Sequence, residues 1–164
     1  MNRSMAAMMT MAASAAAACI PLIATPVAGA QPSCGPDQTD ALRLAFAQLP
    51  FEPLTGAKWD TTPVDSNYDP CAELSTILVT IEGGTGSSPV QALLFHRGEY
   101  VGTGTSKAYG FTSLDSAASS DDMVVLNYKV PGECSACAPA AIHSARYRWE
   151  GDRAVMLDPP PPSA

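Results

Sequence analysis

The run Leu74-Ser75-Thr76-Ile77-Leu78-Val79-Thr80-Ile81-Glu82 decides the fold class. It is rich in β-branched residues, with Ile77, Val79 and Ile81 on one face and Thr76, Leu78 and Thr80 on the other. A period of two is the mark of a strand, because a pleated backbone sends alternate side chains to opposite sides. Downstream, Gly83-Gly84-Thr85-Gly86-Ser87-Ser88-Pro89 makes a loop, and Val90 to His96 returns as a second strand. Arg97-Gly98 is a tight turn into Glu99-Tyr100-Val101. Further on, Asp121-Asp122 leads into a strand over Met123 to Val130. Residues 142–149 and 153–157 then read as a hairpin across Glu150-Gly151-Asp152.

Upstream of the first strand the period changes. Asp37 is a good helix N-cap, and Asp40 falls in the first turn, where its charge meets the helix dipole. Leu42, Ala45, Phe46 and Leu49 recur at helical spacing until Pro50 and Pro53 stop the run. A polar connection follows, punctuated by Pro53, Pro63 and Pro70 and packed down by Trp59. Strands joined by short turns pair antiparallel, and a lone helix buries its stripe on a sheet face. The pattern predicts an α+β domain: one N-terminal helix packed on an antiparallel sheet of five or six strands, stapled by disulfides. It spans residues 31–158 and ends in a Pro-rich, disordered tail at 159–164.

The chain opens differently. Asn2-Arg3 precedes an apolar, Ala- and Met-rich run, and Ala28 and Ala30 close it with small residues. That is the pattern of a secretory signal over residues 1–30, cut after Ala30. The alternative is cleavage before Cys19, which would carry a lipid; Ala16 stands where a lipobox has a large aliphatic residue. Either reading sends the protein out of the cytoplasm, to be secreted or held in the cell envelope. Removing Arg3 leaves eight basic residues against sixteen acidic ones, a net charge of −8. Nucleic acids and anionic membrane surfaces both need basic patches, so neither is an expected partner. Beyond residue 30 no apolar run approaches ~20 residues, which leaves a lipid at Cys19 as the one route to a membrane.

Export makes the cysteines candidates for disulfides. Cys34, Cys71, Cys134 and Cys137 allow three pairings. Closing the loop from Cys34 to Cys71 is worth about 4 kcal/mol in the chain-entropy account, and closing Cys134 to Cys137 about 2 kcal/mol. The expectation is Cys34–Cys71 and Cys134–Cys137. The sharper alternative makes Cys134-Ser135-Ala136-Cys137 a thiol–disulfide redox pair, but that chemistry needs a helix N-terminus to lower the first thiol's pKa. Here Pro131-Gly132 and Pro139 flank the pair and the neighbouring runs are strands. Zinc would need two further ligands, so neither a metal nor any other cofactor is expected.

Other candidate chemistry is thin. Gly83 to Ser88 resembles a phosphate loop in composition only, since a strand and not a helix follows and no lysine is present. His96 and His143 could serve as general bases, but no G-x-S-x-G elbow supplies a nucleophile. Asp115, Asp121 and Asp122 lack the spacing of a calcium loop. No catalytic residue is assigned.

Several blocks together resemble the LppP/LprE family of actinobacterial envelope lipoproteins. They are Cys34-Gly35-Pro36 before a short helix, Trp59, and Asn67-Tyr68-Asp69-Pro70-Cys71-Ala72-Glu73-Leu74-Ser75. Leu94-Phe95-His96-Arg97-Gly98-Glu99-Tyr100, Tyr109-Gly110-Phe111-Thr112, Asp121-Asp122 and Arg148-Trp149 complete the match over residues 34–158. The resemblance implies an exported envelope protein, supports pairing Cys34 with Cys71, and supplies no catalytic residues. Its densest cluster, Phe95, His96, Tyr100, Tyr109 and Phe111 around Gly110, is the first place to look for a ligand. The resulting expectation is a non-enzymatic module that binds an envelope partner or a small apolar ligand.

Overall fold

The computed structural model describes residues 34–159. Both expectations for the leader, the signal over 1–30 and lipidation of Cys19, lie outside the described residues, as does all of the tail beyond Pro159. Helix α1 (Gln38–Phe46) starts where expected, with the Asp37 side chain accepting the Asp40 amide at 2.9 Å. Eight strands follow: β1 (Asp65–Ser66), β2 (Ser75–Thr80), β3 (Val90–His96), β4 (Glu99–Thr103), β5 (Thr112–Leu114), β6 (Met123–Val130), β7 (Ala141–Glu150) and β8 (Arg153–Met156).

They form two antiparallel four-stranded sheets, ordered β1-β2-β3-β4 and β5-β6-β7-β8. The expected single sheet of five or six strands under one helix is therefore wrong, and the protein is mostly β. The reason lies in β2 and β3, which are apolar on both faces. Ile77, Val79, Leu93 and Phe95 face α1 and Trp59 in one cluster. Leu78, Ala92 and Leu94 face the other way, onto Leu114, Val124, Leu126, Ala145 and Tyr147 of the second sheet. A strand buried on both sides reads as a near-continuous apolar run and needs two covering layers. One short helix covers only one of them.

Local chemistry sets the joints. Arg97 (φ 49°) and Gly98 (φ 81°) both take positive φ, as a two-residue hairpin turn requires. The turn is tight from outside as well: a Cβ on Gly35 would fall 2.7 Å from the Arg97 carbonyl oxygen. The hairpin β7–β8 turns at Gly151 (φ 71°), at the position the sequence indicates. Disulfides link Cys34 to Cys71 (Cα–Cα 5.0 Å) and Cys134 to Cys137 (Cα–Cα 5.1 Å).

Between the sheets, the hydroxyls of Tyr128 and Tyr147 lie 2.7 Å apart in a buried hydrogen bond. Burial raises both phenols above their ordinary range. Replacing Tyr128 with Phe takes this partner from the Tyr147 hydroxyl, at a cost of about 1–3 kcal/mol, whereas Tyr147→Phe leaves Tyr128 its bond to Thr105 and should cost less. The double substitution removes both groups and should cost less than the two single losses summed. Urea unfolding of the three variants measures the coupling directly.

An apolar cleft and a clasped corner

Most of the blocks that carry the family resemblance meet at one corner. Gly35 lies against Gly98, and the Tyr68 hydroxyl donates to the Pro36 carbonyl at 2.7 Å. The Arg97 amide donates to the Ala72 carbonyl, and its guanidinium pairs with Glu73. His96 places Nδ1 2.6 Å from the Glu73 carbonyl oxygen; a carbonyl only accepts, so Nδ1 carries the proton. The imidazole stacks on the Trp149 ring at 3.9 Å, nearly parallel. The Leu74 amide donates to the Asp121 carbonyl, which ties the corner to the loop before β6. These contacts hold the two sheets and the N-terminal segment together.

The aromatic cluster singled out in the sequence is not one surface here. Phe95 is fully buried toward α1, with Tyr68 edge-on at 5.2 Å and Tyr100 tilted at 5.8 Å. His96, one residue on, points to the opposite side of the sheet and meets Trp149. Tyr109 packs edge-on against Tyr128 at 5.4 Å, and Lys107 lies over its ring. Phe111 sits at φ 57° in the turn into β5. Among the other candidates, His143 is exposed on β7, and Cys134 and Cys137 sit at the exposed tip between two strands. Among the described residues, no helix N-terminus abuts that pair. Asp115 accepts from the Ala118 amide and from Asn127, Asp122 accepts from Ser120, and the described residues hold no group of three or more potential metal ligands.

The concave apolar surface lies elsewhere, where α1 runs into the Pro-rich connection. After the helix ends, Pro50 turns the chain and its carbonyl accepts the Trp59 indole N–H at 2.8 Å. Trp59 thus becomes a floor, while Phe51 stands above it with 60% of its surface exposed. The next turn is built around Glu52, a buried carboxylate whose Oε2 accepts the Leu54 amide (3.1 Å), the Thr55 amide (2.7 Å) and the Thr55 hydroxyl (2.7 Å). Gly56 at φ 69° completes that turn, and Leu54 is held at its tip, 83% exposed. Two clefts open on either side of Phe51. One, of about 250 Å³, is lined by Leu49, Phe51, Trp59, Gln91 and Tyr100; the other, of about 230 Å³, by Phe46, Leu49, Phe51 and Trp59. A third, of about 330 Å³, runs along α1 between Leu42, Phe46 and Pro63.

This site was missed in the sequence because its residues follow no period. The available signal was Phe51 and Leu54, two large apolar side chains between prolines in an otherwise polar connection. A model of the LppP/LprE lipoprotein family matches residues 66–152. The chain belongs to that family. Lipoprotein LprE of Mycobacterium tuberculosis strain H37Rv is 28% identical over 111 residues, covering 68% of this chain and 52% of that protein. LprE of Mycobacterium leprae is 29% identical over 129 residues, 74% of this chain and 61% of its own length. The chain thus spans between half and two thirds of the curated relatives it matches. No solved structure matches it. Membership of a lipoprotein family speaks to export and anchoring and assigns no chemistry to any residue. Among the described residues, no helix is long and apolar enough to cross a membrane.

Proposed function

We propose that this LppP/LprE-family chain is an exported cell-envelope protein that binds a small apolar ligand in the clefts around Phe51 and Trp59, without catalysing a reaction. The observation that carries the reading is Phe51, mostly exposed yet lining two clefts that share the buried Trp59. Leaving a ring that large exposed forgoes about 2 kcal/mol of burial that folding could have captured, which argues for an occupant. The two clefts beside Phe51, of about 250 and 230 Å³, are each smaller than a drug-sized site, which suits a short apolar chain and excludes a folded partner. Family membership supports the envelope setting. Residues 1–30 would serve as the export signal, with Cys19 as the alternative lipid attachment point. Intact mass of the protein recovered from its host distinguishes a chain starting at Gln31 from one starting at acylated Cys19.

Binding is tested by titrating a dodecyl-chain amphiphile, kept below its micelle concentration, against Trp fluorescence. Trp59 should respond, and the response should survive Trp149→Phe but not Trp59→Phe. Phe51→Ser is expected to weaken binding about ten-fold or more, since the ring lines both clefts and covers apolar surface worth ~1.5–3 kcal/mol. Phe51 is exposed, so unfolding should shift by less than ~0.5 kcal/mol. Affinity unchanged by this substitution would defeat the proposal.

A further inference from the structure

β3 turns Gln91, Leu93 and Phe95 toward the helix layer, because alternate residues of a strand share a face. Leu93 and Phe95 have no exposed surface, and Gln91 keeps only 4% of its own. A buried amide costs free energy unless both of its ends are bonded. Here one end is. Nε2 donates to the Thr105 carbonyl at 2.8 Å. A carbonyl only accepts, so that contact fixes which end of the amide is nitrogen. The other end, Oε1, accepts no hydrogen bond from the described residues. Among those residues, every side-chain oxygen or nitrogen sealed from solvent has a partner. Oε1 is therefore not sealed: it holds part of the small surface Gln91 keeps, and it meets solvent in the cleft that Gln91 lines.

That cleft is the one of about 250 Å³ beside Phe51, with Leu49, Phe51 and Trp59 as its apolar wall. We infer that Gln91 selects its ligand, and that the ligand is a neutral apolar chain ending in a hydrogen-bond donor, a hydroxyl above all. The inference rests on reading the cleft as a binding site and adds the chemistry of the ligand's head. In such sites apolar burial gives most of the affinity, and a few fixed polar groups give the choice. Gln91 is fixed twice over. Its strand lies between β2 and β4, and its nitrogen is held by Thr105, so Oε1 cannot turn away to another donor. A ligand O–H completes the amide's bonding. A chain without one displaces the water from Oε1 and leaves a buried acceptor bare. A carboxylate brings only acceptors and repels Oε1. Among the described residues lining the cleft, Lys107 is the one charged side chain, and its ammonium lies over the Tyr109 ring at 4.8 Å. An acidic head would have to draw it off that ring.

The experiment compares decanol with nonyl methyl ether, an isomer that has the same atoms and no O–H, and with decanoate. Each is titrated below its aggregation concentration against Trp59 fluorescence, in the full chain carrying Trp149→Phe. Decanol should bind about five-fold tighter than the ether or more, the ratio set by one unpaired buried acceptor. Decanoate at neutral pH should bind more weakly than decanol. Gln91→Met keeps the length of the side chain and removes the acceptor, so the alcohol and the ether should then bind alike. If Gln91 were only structural, the substitution would weaken both ligands together and leave their ratio standing, which overturns the inference. Tyr100→Phe removes the phenol hydroxyl from the same cleft and should leave the ratio unchanged; a ratio lost there assigns the head to Tyr100 and overturns it too. Should Gln91→Met fail to fold, the isomer pair on the chain with Gln91 intact still decides. Equal affinity for alcohol and ether sinks this inference alone and leaves the cleft as a binding site, and decanoate binding tighter than decanol does the same by handing the head to Lys107. If none of the three moves Trp59, the cleft reading fails and this inference with it.

Discussion

Phe95→Ala should unfold this protein about 3–5 kcal/mol more easily, the range for deleting a buried aromatic ring from a packed core. Phe95 has no exposed surface and sits between Tyr68, Tyr100 and the helix layer. Its neighbour His96 makes one hydrogen bond and one stack, with its side chain 21% exposed. His96→Ala should therefore cost about 1.5–2.5 kcal/mol, the net value of one hydrogen bond plus that of the stack on Trp149. Urea unfolding followed by far-ultraviolet circular dichroism gives both numbers from one instrument. The contrast matters because the two residues are adjacent in the same motif. If Phe95→Ala proved as mild as His96→Ala, Phe95 would not be a core residue and the aromatic cluster would again be open as a ligand surface.

The second large effect is expected from the disulfides, which should be unequal. Replacing Cys34 and Cys71 together with Ser should remove up to about 4 kcal/mol, because the bridge closes a loop with a sequence separation of 37. The loss has a structural consequence too. Gly35 and Pro36 lie on the Arg97-Gly98 turn, and Tyr68 bonds back to Pro36, so the bridge anchors the segment that leads into α1. Replacing Cys134 and Cys137 opens a loop with a separation of 3, at a hairpin tip exposed on every side. Its chain-entropy value is about 2 kcal/mol at most. Thermal unfolding of the two double variants should rank them in that order. The reverse ranking would mean that the hairpin tip, and not the clasped corner, limits stability.

Much of this architecture was legible in local chemistry. Asp37 capping α1, the alternation in β2, the positive-φ turn at Arg97-Gly98 and the β7–β8 hairpin all depend on residues close in sequence. β5 was not legible, since three residues carry too little period to stand out from a loop. The number of sheets was not legible either. Leu78 and Leu94 announce that a second face needs cover, but which later strands supply it depends on the chain crossing over after β4 without pairing onward. The aromatic cluster failed as a single surface for a related reason. Phe95 and His96 are neighbours in sequence, and a pleated strand sends neighbours to opposite sides. The Phe51 clefts escaped notice because apolar residues in a proline-rich connection show no period. Only folding reveals that Trp59 lies beneath Phe51 and that Glu52 holds Leu54 out in the solvent.

By itself, then, the sequence determined the local elements, the charge and the family, all of which are written in short-range spacing, in composition or in ordered blocks of residues. Tertiary structure alone decided the two-sheet division, the clasped corner, the apolar clefts and the half-bonded amide of Gln91. Each of those depends on which faces and polar groups remain uncovered once distant segments have packed, and covering them is a property of the whole fold.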